Sequence, residues 1–136
     1  MRDETGRFRR SDRLLDSRDF RRVLRRGRRY AHQELVVIAA PSIIKMSQSK
    51  GLRSSVCSGS RLGITVSRKL GNAVVRNRFK RRVRAWFRMR RSEFGTDLDL
   101  VVIARRSGVS LSYSYHQLDA RLSTLLGLDP ATFRAQ

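Results

Sequence analysis

The sequence is poor in carboxylates, and this shortage narrows what the chain can do. Only 11 Asp and Glu accompany 31 Lys and Arg, giving a formal net charge of +20 in 136 residues. No carboxylate occurs from Leu35 through Ser92. A protein that cleaves nucleic acid with its own side chains needs carboxylates to hold metal, or a histidine and an acid for proton transfer. The basic middle of the chain has neither, which favours a binding protein over a self-sufficient nuclease.

Cysteine and long apolar runs are also scarce. Cys57 is the single cysteine, so no internal disulfide can form, which agrees with a reducing compartment. No apolar run approaches the roughly 20 residues of a spanning helix. Residues 1–15 mix acids with bases and lack the apolar stretch of a secretion signal. We therefore expect a cytoplasmic protein with no membrane partner.

Sites for small molecules and metals are equally unsupported. No Gly-x-x-x-x-Gly-Lys-Ser/Thr phosphate loop occurs, so nucleotide hydrolysis is not indicated. Asp97 and Asp99 are close in sequence but stand at the entrance of an expected strand. His32 and His116 lack the spacing of a metal site. We expect no metal held by the protein alone and no small-molecule substrate.

The most informative stretch is residues 71–91, GNAVVRNRFKRRVRAWFRMRR, with nine Lys or Arg and no carboxylate. As a helix turning about 100° per residue, it gathers Val75, Phe79, Val83 and Trp86 into one apolar arc, with Ala85 and Met89 on one flank. The opposite arc holds Arg76, Asn77, Lys80, Arg81, Arg84 and Arg88, with Phe87 near its edge. Arg82 falls among the apolar residues, so it must snorkel or the helix must be distorted there.

The cationic arc indicates an anionic partner. Like charges spaced by four residues, such as Arg76, Lys80 and Arg84, destabilise a helix by about 0.2–0.5 kcal/mol per pair, so a free protein gains nothing from them. All but four of the basic residues are Arg, whose planar guanidinium suits phosphate oxygens. Gly71 and Asn72 at the helix start add backbone N–H groups for a phosphate. Nucleic acid is the leading partner.

The other segments predict a single domain, residues 1–136, in the order α-β-β-α-β-α. The first helix is expected to have Ser17 as its N-cap and Gly27 at its end, and the last helix carries a capping box of Ser114 and Gln117. The expected strands are residues 30–41, 61–67 and 97–105. A basic, mobile start (about 1–12) and a Ser-rich loop (about 41–60) complete the chain.

Residues 67–88, SRKLGNAVVRNRFKRRVRAWFR, closely resemble the bacterial ribonuclease P protein subunit. The signature of that family is Lys-x-Gly-x-Ala-Val-x-Arg-Asn-x-x-Lys-Arg-x-x-Arg. The positions that match it in order are Lys69, Gly71, Ala73, Val74, Arg76, Asn77, Lys80, Arg81 and Arg84. The resemblance extends weakly over most of the chain.

The resemblance implies both a fold and a function. The fold is an α/β (α+β) two-layer sandwich similar to domain 2 of ribosomal protein S5, with a small mixed sheet. In it the basic helix joins two parallel strands by a left-handed crossover, against the usual right-handed rule. In that family a catalytic RNA cleaves the 5′ leader from precursor tRNA with Mg²⁺ bound mainly by the RNA and substrate. The protein docks on the RNA and holds the leader in a cleft.

The resemblance also implies which residues of this chain bind RNA. The RNA-binding set is Arg68, Lys69, Arg76, Asn77, Lys80, Arg81, Arg84 and Arg88. The leader cleft would be lined by Phe20, Leu24 and Ile38. Members of the family often have aromatic side chains at the last two positions, where this chain is aliphatic and cannot stack on a base. No catalytic residue is expected in the protein.

Two other functions remain open from the residues. A structural RNA-binding protein of ribosomal type, with no role in cleavage, would have the same composition. An amphipathic segment, RRVRAWFRMRR, could instead bind membranes or an acidic protein, although the flanking strands indicate that its apolar face is buried. The nine-position motif favours the ribonuclease P subunit.

Overall fold

Three helices and four strands follow one another in the order α-β-β-β-α-β-α. The structure, a computed structural model, describes residues 8, 10–14, 16–42, 59–94, 97–105 and 109–127. The elements are α1 (Ser17–Arg26), β1 (Arg28–Ala31), β2 (Leu35–Pro41), β3 (Arg61–Thr65), α2 (Ala73–Arg90), β4 (Leu98–Ala104) and α3 (Tyr115–Leu125). Within these described ranges, no helix has the length and apolar character needed to cross a membrane.

The strands form one mixed sheet in the order β1-β2-β4-β3. The β1–β2 and β2–β4 pairs are antiparallel, whereas β3 and β4 run parallel with Gly63 opposite Val101. Parallel neighbours need a crossover connection, and α2 lies in that connection. The mixed sheet with its crossover helix confirms the predicted fold class, and the left hand of the crossover stays a prediction.

The predicted element order is wrong by one strand, because residues 30–41 form parts of two strands joined by a turn. In that turn the backbone N–H of His32 donates to the Leu35 carbonyl at 2.8 Å. The Glu34 N–H donates to Nδ1 of the His32 ring at 3.1 Å. The His32 ring therefore accepts the hydrogen bond that stabilises this turn. The turn was not predicted because residues 32–34 include no Gly, Pro, Asn or Asp, the residues that usually mark a turn in a sequence.

The sheet is covered on both faces, which explains why β2 is apolar at nearly every position. Leu35 and Val37 face the larger core with α2 and α3, while Val36 and Ile38 face a smaller core. Val23 of α1 is fully buried in that smaller core. The predicted sandwich is confirmed for the larger face, and α1 adds a short layer on the other.

Side-chain caps fix where two helices begin. Oδ1 of Asp16 accepts the Arg18 N–H at 2.8 Å, so Asp16 is the N-cap of α1. The prediction of Ser17 as that cap is wrong, because Asp and Ser cap equally well and the sequence cannot choose between adjacent candidates. The capping box of α3 is confirmed: the Ser114 hydroxyl accepts the Gln117 N–H, and the Gln117 side chain accepts the Ser114 N–H.

Gly27 ends α1 as predicted, for a steric reason. A Cβ atom there would lie 2.5 Å from the Val23 carbonyl oxygen and 2.6 Å from Cγ2 of Ile38. The φ angle of −74° is open to any residue. Glycine therefore serves the close approach of α1 to β2.

Part of the predicted mobile start packs on the domain. Residues Arg10–Asp12 form a 3-10 turn, and the Leu14 N–H donates to the Leu62 carbonyl at 3.0 Å. Asp12 is buried and pairs with the Arg91 guanidinium at 3.0 Å. Residues 10–12 therefore contact the domain through an ion pair that the sequence does not reveal, and the mobility of the start stays a prediction. Residues 1–7 lie outside the described residues.

The predicted Ser-rich loop lies mostly outside the described residues, which omit 43–58 and with them Cys57. Its two described ends meet beside the sheet. The Ser42 hydroxyl donates to the Gly59 carbonyl at 2.9 Å, so the loop leaves and returns at one place.

A buried carboxylate joins α1, β3 and β4. Asp99 is fully buried and accepts from Nε and Nη2 of Arg61 at 3.0 and 2.8 Å. It also pairs with Arg22 of α1, and Arg61 reaches Asp19 of α1 at 3.1 Å. Burial alone would lower the pKa of Arg61, but hydrogen bonding and the charge of Asp99, with a smaller effect of Asp19, raise it instead. These ion pairs fix α1 to the sheet.

Replacing Asp99 with Asn is expected to lower the free energy of unfolding by about 3 kcal/mol or more, because Arg22 would lose its carboxylate partner and Arg61 would lose Asp99 while keeping Asp19. Urea unfolding measures the change. Asp16→Asn is the matched control: its pair with Arg18 is exposed, and Asn caps a helix as well as Asp. A similar loss in both variants would contradict the central role of Asp99.

Candidate nucleic-acid interface

The start of α2 holds two cations in solvent beside a helix N-terminus. Ser67 accepts the Lys69 N–H at 3.2 Å, which closes a 3-10 turn over Arg68–Leu70. Asn72 then caps α2, its Oδ1 accepting the Val75 N–H at 2.9 Å. Arg68 and Lys69 are both exposed there.

The packing side of α2 is broader than the sequence predicts. Phe79, Val83 and Trp86 are fully buried, as predicted. Phe87, which the helical pattern puts near the edge of the cationic arc, is fully buried as well. The reason is Phe8, which lies far away in sequence and packs edge-on against Phe87 with ring centroids 5.9 Å apart.

Two other side chains of α2 depart from or refine the helical pattern. Met89, expected beside the packing arc, is 51% exposed. Arg82, which falls among the apolar residues, is half-buried and donates from Nη1 to the Tyr113 carbonyl at 2.6 Å. Arg82 therefore snorkels to a backbone acceptor, and the α-helix continues through its position, as the first of the two alternatives predicts.

The opposite side of α2 and the 3-10 turn before it carry the predicted RNA-binding residues, here called the α2 cationic surface. Its members are Arg68, Lys69, Arg76, Asn77, Lys80, Arg81, Arg84 and Arg88. Arg81 is exposed, while Lys80 and Arg84 are half-buried. Among the residues that the structure describes, no carboxylate pairs with any of these three cations. Nε of Arg76 donates to the Gly71 carbonyl at 3.0 Å, which orients its guanidinium at the helix start.

Arg84 shows the electrostatic cost of this arrangement. Partial burial lowers the pKa of Arg84, and the nearby charges of Arg13 and Arg81 lower it further. A cation that is desolvated and surrounded by like charge is stabilised when an anion approaches. The site is therefore electrostatically incomplete without a negatively charged partner.

A groove of about 150 Å³ opens beside this surface, between α1, β3 and α2. Phe20 of α1 forms one wall, Gly63 lies at its base, and Lys80 and Arg84 of α2 line it as well. The remaining lining residues are Phe8, Arg13, Leu14, Leu62 and Ile64. Aromatic and cationic groups thus face the same space.

Phe8 and Arg13 are site residues that the sequence reasoning missed. The guanidinium carbons of Arg13 and Arg84 lie 5.4 and 5.9 Å from the centroid of the Phe8 ring, within cation–π range. The available signal was one aromatic residue in a stretch of arginines. That signal does not reveal that the segment folds back along β3.

The three predicted leader-cleft residues are not all brought together. Phe20 lines the groove, but Leu24 is 43% exposed and is absent from the groove lining. Ile38 is only 3% exposed and packs beneath α1. Ile38 can support Phe20 from below but offers almost no surface to a ligand.

One member of the acidic pair considered as a metal site, Asp99, has another role. Asp99 is buried in its ion pairs with Arg61 and Arg22. Over the described ranges of the chain, no three His, Cys, Asp or Glu come together as a metal site would require.

Comparison with known proteins gives one consistent result. A family model described as Ribonuclease P matches residues 8–127. The "Ribonuclease P protein component" of Finegoldia magna is 35% identical over 112 residues, covering 82% of this chain and 85% of the relative. The "Ribonuclease P protein component" of Desulfovibrio desulfuricans is 35% identical over 108 residues, covering 79% of this chain and 75% of the relative.

Solved structures give the same result. The RNase P protein of Staphylococcus aureus is similar with a TM-score of 0.66 and 30% identity, covering 86% of this chain and 94% of that chain. The RNase P protein from Thermotoga maritima has a TM-score of 0.64 and 31% identity, covering 84% of this chain and 94% of that chain. Sequence and fold therefore point to one family.

The Gly63→Ala variant tests the shape of the groove. The new Cβ would lie 2.6 Å from Cε2 of Phe20, so the ring must move, at an expected cost of about 1–3 kcal/mol in unfolding free energy. In a Phe20→Leu background the cost should be smaller, with a coupling of at least about 0.5 kcal/mol. Thermal or urea unfolding of the four proteins measures this, and strictly additive losses would contradict the contact.

Proposed function

The chain belongs to the ribonuclease P protein family, and we propose that it binds the catalytic RNA of ribonuclease P together with the 5′ leader of precursor tRNA. As a protein component of ribonuclease P, it takes part in tRNA processing. In the proposed holoenzyme the RNA cuts the leader to leave the mature 5′ end. The endonuclease activity then belongs to the ribonucleoprotein, and the protein contributes binding.

One observation carries this proposal: Lys80 and Arg84 belong both to the α2 cationic surface and to the groove. RNA phosphates on the outer side of α2 and a strand in the groove would therefore meet at the same two cations. Contacts between cations and phosphates release counterions and need no particular base sequence. This suits a protein that must hold a structured RNA beside leaders of many sequences.

The groove has the chemistry to hold a single strand. Phe20 offers an aromatic face for a base, and Lys80 and Arg84 can balance the phosphates on either side of it. Phe8, held between Arg13 and Arg84, adds a second aromatic group to the same lining. Leu24 and Ile38 are not needed for this contact.

We propose that the Mg²⁺ of the reaction is bound mainly by the RNA and substrate. The carboxylates near the groove support this, because Asp19 and Asp99 are held by Arg61 and Arg22. The chain's own contribution is to bind and orient the RNA, and to lower the repulsion between phosphates by adding positive charge. We also propose a cytoplasmic location, where the precursor tRNA of a bacterium is made.

The first experiment is cleavage of a precursor tRNA by a transcribed bacterial ribonuclease P RNA at low Mg²⁺, with and without this protein. We expect strong stimulation with the cut at the mature 5′ end, because the protein replaces part of the charge neutralisation that Mg²⁺ would give. Tight RNA binding without stimulation would overturn the proposal and favour a structural RNA-binding protein.

Arg81→Gln tests the α2 cationic surface. If six to ten phosphates are neutralised, affinity for the RNA should fall by roughly 10³ to 10⁵ between 50 and 200 mM salt. Removing one phosphate contact should lower the slope of log affinity against log salt by about 1. Arg29→Gln is the control, since Arg29 is exposed on β1, at the sheet edge farthest from β3. Equal slopes for wild type and Arg81→Gln would remove Arg81 from the interface.

A further inference from the structure

The outer side of α1 carries a second concentration of positive charge. Half of its ten residues are Arg. Arg22 is turned inward, donating to the Pro41 carbonyl and pairing with Asp99. The other four form what we call the α1 cationic surface: Arg18, Arg21, Arg25 and Arg26, all exposed. This surface shares no residue with the groove beside α2.

The charge of this surface is almost uncompensated. α1 and its cap hold two carboxylates, Asp16 and Asp19, and Asp19 is engaged with Arg61 on β3. Asp16 pairs with Arg18. Across the described ranges, no carboxylate forms an ion pair with Arg21, Arg25 or Arg26.

Such an arrangement opposes folding of the free helix. Arg21 and Arg25 are four residues apart, where like charges face each other and destabilise a helix. α1 has only ten residues and depends on Val23 and its ion pairs for its place on the sheet. Arg25 and Arg26 in the last turn interact favourably with the negative end of the helix dipole. Arg18 and Arg21 lie nearer the start of the helix and do not gain this stabilisation. A bound anion would remove this repulsion.

The two cationic surfaces lie on different sides of the molecule. α1 packs on the sheet face that holds Val36 and Ile38, and α2 packs on the face that holds Leu35 and Val37. A helix is about 10 Å across and packed layers lie about 10 Å apart. The outer sides of α1 and α2 are thus separated by roughly 20–30 Å of protein. A stem of less than one helical turn that docks on the outer side of one helix would not reach the outer side of the other, although Lys80 and Arg84 also line the groove beside Phe20 of α1.

We propose that the α1 cationic surface binds the phosphate backbone of a second RNA segment, so that the protein bridges two segments of RNA across its sheet. The proposal rests on the proposed function, in which the α2 cationic surface takes the first segment. The four arginines can donate to phosphates but bring no aromatic group for base stacking, so binding is independent of base sequence. An interfacial membrane helix would need a free apolar face, and Val23 of α1 is fully buried against the sheet.

The test counts RNA molecules on the full-length protein. The probe is a short RNA hairpin, with a stem of less than one helical turn, measured by native mass spectrometry and by energy transfer between differently labelled hairpins. Wild type should bind two hairpins and bring them together. The triple variant Arg21→Gln, Arg25→Gln, Arg26→Gln should bind one and lose the energy transfer. Two bound hairpins in that variant would overturn the proposal.

The controls separate this inference from the proposed function. A charge-matched triple variant, Arg10→Gln, Arg29→Gln, Arg121→Gln, changes exposed residues on three other segments and should still bind two hairpins. If it too binds one, net charge rather than the α1 cationic surface sets the count, and the proposal fails. Melting curves of both variants verify folding.

Two further measurements show whether a negative result counts against the proposed function or against RNA binding by the α1 cationic surface. The double variant Lys80→Gln, Arg81→Gln should still bind one hairpin. Adding the three α1 substitutions to this double variant should abolish that remaining binding. If this double variant binds RNA and stimulates cleavage as wild type does, the proposed function fails. Binding to anionic vesicles that is lost in the α1 triple variant, with the hairpin count unchanged, would overturn the RNA assignment in favour of a membrane contact.

Discussion

The position of α1 depends on one buried carboxylate. Asp99 holds Arg61 beside it on β3 and draws in Arg22 from α1. Because Phe20 lies on that helix, these ion pairs also set the width of the groove and its distance from Lys80 and Arg84. The outer side of α1 is oriented by the same contacts. A charge pair inside the protein therefore determines where the charges outside it are presented.

The few carboxylates of the chain divide its arginines into two populations. Some arginines are structural: Arg90 is held by Asp119 and Glu93, which raise its pKa, and Arg91 is held by Asp12. Among the residues that the structure describes, no carboxylate pairs with Lys80, Arg81 or Arg84 of the α2 cationic surface. Because the chain has so few Asp and Glu residues, each carboxylate that is used in a buried ion pair is one fewer to neutralise the arginines on the surface. Folding thus concentrates unneutralised cations on the two exposed helical surfaces.

Patterns within one element were predictable from the sequence. The apolar arc of α2, the capping box of α3 and the strand after α2 depend on local spacing and propensity, and they are confirmed. Two predictions failed for local reasons: the His32 ring makes an unannounced turn, and Asp16 caps α1 in place of the adjacent Ser17. Other contacts were not predictable because the partners are distant in sequence: Phe8 covers Phe87, and Arg91 holds Asp12.

In the candidate site, too, the pattern within one helix was predictable and the contacts between distant segments were not. Spacing placed Lys80, Arg81 and Arg84 on one side of the helix, while only the fold brings Phe20 of α1 and Phe8 to the same groove. No pattern distinguishes a structural arginine such as Arg61 from a free one such as Arg81, because the difference is a carboxylate on another strand or helix.

The docking of residues 13 and 14 on Leu62 has a consequence for solubility. β3 is an edge strand, and an uncovered edge can recruit a strand from another molecule and begin aggregation. Here the chain covers part of its own edge, and the opposite edge strand is short and carries the exposed Arg28 and Arg29. The two apolar central strands are thereby shielded at both sides of the sheet. A newly made molecule is protected from edge-to-edge association during the interval before it meets a polyanion.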